Sequence, residues 1–269
     1  MADPLRARIE TLTGARVTGL GALHGGDLSD VYSATLEDGR QVVAKLGALV
    51  DTEARMLQAM AAAGAPVPRV LATQTGLTIL EMLDEAPASA RGWAALGHGL
   101  RRLHDSCGTL YGWEQDYAFG PAPIPNAPRR DWAAFWAEQR LLAWPADLPM
   151  DIAHRLDALA ARLPDLLPAT PPPALLHGDL WAGNVLFGPG GTAHMIDPAC
   201  YYGDAEVDLA MLSLFGQPGP AFHTAYGDLS PGWHDRRPIY QLWPALVHLR
   251  LFGPGYRGMV ENLLTTAGC

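Results

Sequence analysis

The sequence predicts an α+β fold in two lobes, an antiparallel sheet with one main helix followed by a larger and mostly helical part. Three patterns carry that expectation. Between residues 17 and 83, short apolar runs alternate with turn signals and are interrupted by a single Ala-rich helical stretch, 51–63. After residue 84 the period lengthens to that of helices, which sets the expected division at 1–84 and 85–269. Inside the second part lies one strand-like hairpin, 185–196, built around Gly188-Pro189-Gly190-Gly191.

Composition narrows the classes. At 269 residues and 49% hydrophobic, the chain can bury a full core in one large or two modest domains. A net charge of −9 disfavours nucleic acid and anionic membranes as partners. The segment MADPLRARIE has no apolar core of a signal peptide, and no run approaches the roughly 18 apolar residues of a membrane span. A cytoplasmic monomer is therefore expected. Cys107, Cys200 and Cys269 are scattered, without zinc spacing, and are expected to be reduced.

Taken in order, residues 1–16 read as a short amphipathic helix ending at Gly14. Strand-like runs follow to Lys45, with a glycine-bearing turn at 24–30 (containing Gly25 and Gly26) and a hairpin signal at Asp38-Gly39. The helix 51–63 places Glu53 eight residues after Lys45 and ends at Gly64-Ala65-Pro66. Two more strands, 70–72 and 77–83, complete the first lobe. Residues 93–104 form an amphipathic helix with Leu96, Leu100 and Leu103 on one face. The segment 111–128 is too rich in Pro and aromatics for regular helix, whereas 131–141 is helical with an aromatic stripe of the kind that usually builds a core. Residues 145–170 are expected to be helical, Pro171-Pro172-Pro173 is a stiff lead, and the chain beyond residue 211 is again helical and aromatic.

The chemistry concentrates between residues 175 and 211. Asp179 and Asn184 stand at the mouth of the hairpin and Asp197 at its far end, so the three should converge. A carboxylate that positions an acceptor, next to hard oxygen ligands for Mg²⁺, suits phosphoryl transfer. An ordinary Asp has a pKa of about 3.9, so Asp179 is expected to be ionised, orienting a hydroxyl and accepting its proton late. Composition adds a second signal: 18 of the 19 basic residues are Arg, and the single Lys is Lys45, at the end of the strand Val42-Val43-Ala44. A site that keeps Lys under such bias calls for a compact ammonium that the planar Arg fork cannot replace. A Walker A loop is excluded, because Lys45 is not preceded by Gly. One of only three Asn residues is Asn184.

The motifs HGDLWAGN and IDPACYYGDAEVDLAM, together with YGWEQDYAFGPAPIPNAPRRDWAAFWAEQRL and YQLWPALVHLRLFGPGY, resemble the fructosamine kinase (ketosamine-3-kinase) family of the protein-kinase-like, aminoglycoside-phosphotransferase-like group. The resemblance implies a protein-kinase-like fold with ATP and Mg²⁺ between the lobes. Asp179 matches the catalytic Asp and Asn184 and Asp197 the metal ligands. Asp208 matches the carboxylate that braces the catalytic loop, with His177 as structural support. Lys45 would hold the α- and β-phosphates, Glu53 would aim it, the Gly25-Gly26 turn would cover the phosphates, and backbone near Glu81, Met82 and Leu83 would meet adenine. Pro198 and Gly178 stand where protein kinases have Phe and Arg, which argues against an activation-loop switch. The implied acceptor is the sugar C3 hydroxyl of a ketosamine, free or protein-bound, leading to deglycation. By proximity in sequence, its pocket is expected at Trp181, Tyr201, Tyr202 and Glu206. The alternatives are another small-molecule kinase of this fold, acting on an aminoglycoside, choline or a pentose derivative, or a catalytically silent ATP-binding scaffold.

Overall fold

The computed structural model describes residues 4–23 and 29–269, so the turn with Gly25 and Gly26 lies outside the described residues. Helix α1 (Pro4–Thr13) precedes a five-stranded antiparallel sheet of β1 (Val17–Leu23), β2 (Asp30–Leu36), β3 (Gln41–Leu46), β4 (Val70–Gln74) and β5 (Leu77–Glu81). The strand order is β1-β2-β3-β5-β4, and helix α2 (Val50–Ala62) is inserted after the central strand β3.

Strand periodicity then decides which way Lys45 faces. Val42 and Ala44 are buried with Ile9, Leu36 and Ile79 against α1. Val43 and Lys45, one residue out of phase, take the opposite face, toward α2 and the second lobe. On α2, Glu53, Met56, Leu57 and Met60 recur at helical spacing and are all buried. The three apolar ones join Leu96, Leu100 and Leu103 of α3 (Ala90–His104) in one cluster with Leu175 and Met195. The main helix of the sheet lobe therefore shares its core with the second lobe and fastens the two together.

In that lobe the Pro-rich segment forms a short hairpin, β6 (Tyr117–Phe119) and β7 (Ala122–Ile124), followed by α4 (Trp132–Trp136), which widens into a π-helical turn over Ala137–Leu141. The expected helix over 145–170 is divided. Helix α5 (Met150–Ala160) stops because Pro164 has no N–H for the carbonyl four residues back, and α6 (Leu163–Leu166) is a single turn. Strand β8 (Ala174–Leu176) leads into the loop 177–184 and the hairpin β9 (Val185–Gly188) and β10 (Thr192–Met195). Strand β11 (Tyr201–Gly203) returns to pair with β8. Helices α7 (Glu206–Leu212), α8 (Pro220–Tyr226), α9 (Trp233–Phe252) and α10 (Arg257–Thr266) complete the chain. Helix α9 continues through Pro238 and Pro244 because most of its length is buried in the C-terminal core. Among the described residues no helix is long and apolar enough to cross a membrane.

The aromatic stripe of α4 is core. Trp132 Nε1 donates to Tyr240 Oη at 2.9 Å, and Tyr240 donates to Asp204 at 2.7 Å. Arg140 is buried at 1% exposure and has no ion pair among the described residues. Its guanidinium lies over Tyr201 at 4.1 Å and donates to the Pro125 carbonyl and Asn126 Oδ1.

Candidate active site

The hairpin brings the expected metal ligands side by side. Gly190 and Gly191 supply the positive φ of its turn, Val185 pairs with Met195, and the Ile196 N–H donates to the Asn184 carbonyl at 3.0 Å. The next residue, Asp197, has φ 56° and is the only non-glycine residue at positive φ among the described residues. An L-residue held there costs about 1–2 kcal/mol, and such strain collects where geometry serves a site.

Asp197 is where the lobes meet. Lys45 Nζ donates to Glu53 Oε1 and Oε2 at 2.8 and 2.7 Å and to Asp197 Oδ1 at 2.7 Å. Burial presses the ammonium toward its neutral form, but the charges of Glu53 and Asp197 outweigh it and hold the Lys45 pKa above the ordinary lysine value. The side chains of Lys45 and Glu53 are 8% and 6% exposed, whereas that of Asp197 is 38% exposed. Asp197 is thus the member of the triad open to a ligand.

The loop carrying Asp179 is clamped from below. Asp208, fully buried on α7, accepts the N–H groups of His177 at 2.7 Å and Gly178 at 2.9 Å, and His104 Nε2 donates to it at 3.1 Å. Burial raises its pKa, but the hydrogen bond from His104 leads the opposing interactions, which bring it below the ordinary Asp value. His104 Nδ1 in turn accepts from the Tyr226 hydroxyl at 2.8 Å. His177 accepts the Asp179 N–H on Nδ1 and so donates through Nε2 to the Ile196 carbonyl at 2.9 Å, tying loop to hairpin. Gly178 sits at φ 82°, and a Cβ there would lie 2.0 Å from the Ala199 carbonyl oxygen. No side chain fits at that position, which accounts for the departure from the protein-kinase Arg.

Asp179 itself differs from the ionised carboxylate expected from its type. Burial pushes its pKa up to about 7; the Asn184 hydrogen bond opposes this, and Asp197 and Asp208 add to it. A base poised there matches the operating pH of general base catalysis, and a cation held next to it would draw the value down again. Asn184 donates Nδ2 to both the carbonyl and Oδ2 of Asp179, at 2.7 and 3.0 Å. The amide is thereby oriented with its Oδ1 uncommitted, and Asp197 Oδ2 carries no hydrogen bond among the described residues. Two hard oxygens, without a cluster of three or more His, Cys, Asp or Glu among the described residues, fit a Mg²⁺ that takes its other ligands from phosphate and water.

A cavity of about 570 Å³ joins these charged groups to an aromatic wall formed by Tyr117 and Phe119 of β6, Phe215 after α7, and His248 and Phe252 of α9. The expected acceptor pocket is corrected in part. Trp181 lines the cavity and is 41% exposed. Tyr201 is buried beneath Arg140 with 1% exposure, because its side chain packs into the C-terminal core. Tyr202 packs on Trp113, its backbone paired with Gly112. Glu206 is buried and bound through both oxygens by Arg236, at 2.8 and 2.6 Å, which leaves it no freedom for a ligand. None of these three lines the cavity. Glu81, Met82 and Leu83 lie where the sheet runs toward the second lobe; the Glu81 N–H is taken by the Arg69 carbonyl and its carboxylate by the Arg69 side chain. Met82 and Leu83 stand just beyond the ladder.

Sequence reasoning missed the aromatic wall. Its one signal was the spacing of His248 and Phe252, four residues apart, which puts two rings on one side of the helix.

The sequence profile described as fructosamine kinase matches residues 3–267. A relative named as a ketoamine kinase in Synechocystis is 36% identical over 236 residues, covering 80% of this chain and 77% of its own. One of the same name in Thermus thermophilus is 36% identical over 257 residues, covering 91% and 92%. A crystal structure named as a fructosamine-3-kinase from Thermobifida fusca superposes with a TM-score of 0.92 at 33% identity, covering 98% of both chains. At 16% identity an amicoumacin kinase, TM-score 0.66 over 98% of this chain and 92% of its own, shares the fold. With the family matched along almost its whole length, the chain belongs to the fructosamine kinase family and is a phosphotransferase with a hydroxyl acceptor.

Proposed function

We propose that this protein transfers the γ-phosphoryl group of ATP to the C3 hydroxyl of a ketosamine, the adduct of a sugar with an amine. The 3-phosphate would then eliminate and free the amine, so the reaction serves deglycation. One observation carries the reading: Lys45 of the sheet lobe and Asp179, Asn184 and Asp197 of the helical lobe line one cavity, with Lys45 and Asp197 in contact.

Each side chain has work to do there. Lys45, aimed by Glu53, exchanges part of its hold on Asp197 for phosphate oxygens. Asn184 Oδ1 and Asp197 would hold Mg²⁺, which when bound neutralises triphosphate charge. Asp179 orients the acceptor hydroxyl and takes its proton as the new O–P bond forms, its loop kept in place by the Asp208 clamp. Trp181 borders the acceptor. In the fold neighbour named as an amicoumacin kinase, AMP-PNP and Ca²⁺ are bound, which supports a nucleotide and a divalent cation in this cleft. The test compares ribulose-, erythrulose- and fructose-lysine side by side with Mg·ATP and locates the phosphate by ³¹P and ¹³C NMR. Phosphate at C3 is expected; phosphate at another hydroxyl, or no turnover, overturns the reading.

A further inference from the structure

Beyond the catalytic groups, the cavity continues to a cluster of rings with no role in phosphoryl transfer. Phe215, Phe252 and Tyr256 surround His248, with centroids 4.7, 5.3 and 5.0 Å from it, and all four line the cavity. Phe215 and Phe252 are 42% and 54% exposed, in a molecule whose other Phe residues are mostly buried, so the core leaves these two faces uncovered. His248 Nδ1 donates to the Pro244 carbonyl at 2.8 Å, and Nε2 is left as an acceptor without a protein partner among the described residues. Burial keeps the ring's pKa below the ordinary histidine value despite the Pro244 bond, which preserves that lone pair.

Charge decides what such a wall takes. The cavity contains Glu53, Asp179 and Asp197 against a single formal cation, Lys45, which Glu53 and Asp197 already hold. An anion at the far end would be repelled, and a plain hydrocarbon would leave the histidine lone pair desolvated and unpaired. A cation with N–H groups satisfies all three features at once: ring faces attract the charge, Nε2 accepts a hydrogen bond, and the excess negative field is offset.

We infer that the ring cluster of Phe215, His248, Phe252 and Tyr256 receives the protonated amine nitrogen of the ketosamine and makes the enzyme select amine-bearing sugars over neutral ones. This rests on the ketosamine reading above, and it moves amine recognition from the residues after Asp197 to the end of α9.

The test uses a matched pair, an N-alkyl ketosamine and its 1-O-alkyl ether, which has the same shape without the ammonium, and measures KM for both. Wild type should favour the amine by about tenfold, the scale of a desolvated cation–π contact. Phe252→Leu and Phe215→Leu keep apolar volume at exposed positions and remove the ring, and each should cut that preference several-fold, whereas Phe252→Tyr should retain it. Turnover of both compounds with equal KM, or a preference untouched by both Leu variants, overturns this inference alone. No turnover of either compound by wild type overturns the ketosamine reading and this inference with it.

Discussion

Two ion pairs of the molecule, Lys45 with Glu53 and Arg236 with Glu206, are built on similar glutamates. Glu53 and Glu206 each stand in the first turn of a helix, each is almost completely buried, and each holds a basic partner. Their partners separate them. Arg236 spends Nε and Nη2 on the two oxygens of Glu206, both ends belonging to the helical lobe, and the rigid fork saturates the carboxylate. Lys45 divides its donors between Glu53 and Asp197, one on the helix attached to the sheet and the other just after the hairpin β9–β10. A compact ammonium shared in this way can exchange a partner for phosphate without dismantling its own support. On the function proposed above, the Lys pair serves the ligand and the Arg pair the fold.

The largest effect that sharpens this contrast lies at Asp179. Asp179→Asn keeps the size of the side chain and removes its proton acceptor, so kcat should fall about 10³-fold while nucleotide affinity, measured by titration calorimetry, stays within about twofold. Retained turnover would remove Asp179 from the chemistry. Next comes Lys45→Arg, conservative in charge alone: kcat/KM for ATP should drop about 10²-fold because a planar fork cannot satisfy Glu53, Asp197 and phosphate from one point. Near-normal activity would show that the survival of one lysine among so many arginines is accidental.

Glu206→Gln tests the other pair. Leaving the partly buried Arg236 without its counter-charge should cost about 2 kcal/mol, read as a drop of roughly 5 °C in Tm, with KM for a ketosamine unchanged within about twofold. A raised KM at unchanged Tm would reverse the assignment and return Glu206 to the acceptor pocket.

The same contrast explains what was legible beforehand. Lys45, Asp179, Asn184 and Asp197 could be picked out because strand alternation and a Gly-rich hairpin fix their directions locally. The apolar stripe of α3 was visible at helical spacing, whereas the pairing of β3 with β5 and the fastening of α2 to α3 join residues far apart in sequence and were not. Tyr201, Tyr202 and Glu206 were placed by closeness to Asp197, but their directions are set by groups far away in sequence: Arg140 over Tyr201, Trp113 on Tyr202 and Arg236 on Glu206. The wall of Phe215, His248 and Phe252 was hidden for the same reason, since only tertiary packing turns the end of α9 toward the catalytic loop. The shifted pKa of Asp179 was likewise beyond the sequence, because burial sets it and residue type does not.

The smallest effect concerns the ground on which the Arg pair stands. Asp204 accepts the Tyr240 hydroxyl at 2.7 Å and the Glu206 N–H at 3.0 Å, yet burial, reinforced by the nearby charge of Glu206, pushes its pKa up to about 6. The unfolded chain would release that proton near pH 3.9, so between about pH 4 and 6 the folded protein binds more protons than the unfolded one. The protonated carboxyl's contribution to stability is thus complete below pH 4 and is lost as pH rises through 6, a change of about 2–3 kcal/mol. Asp204→Asn cannot ionise, and it should flatten this part of the curve of unfolding free energy against pH, measured by urea titration at half-unit steps. Below about pH 4 it should also cost about 1 kcal/mol, because the Tyr240 hydroxyl already accepts from Trp132 and loses the oxygen to which it donates, and this deficit should vanish as wild-type Asp204 ionises above pH 6. A slope identical in both proteins would mean that Arg236 neutralises Asp204 as well as Glu206, and the fork would then support two carboxylates as Lys45 does.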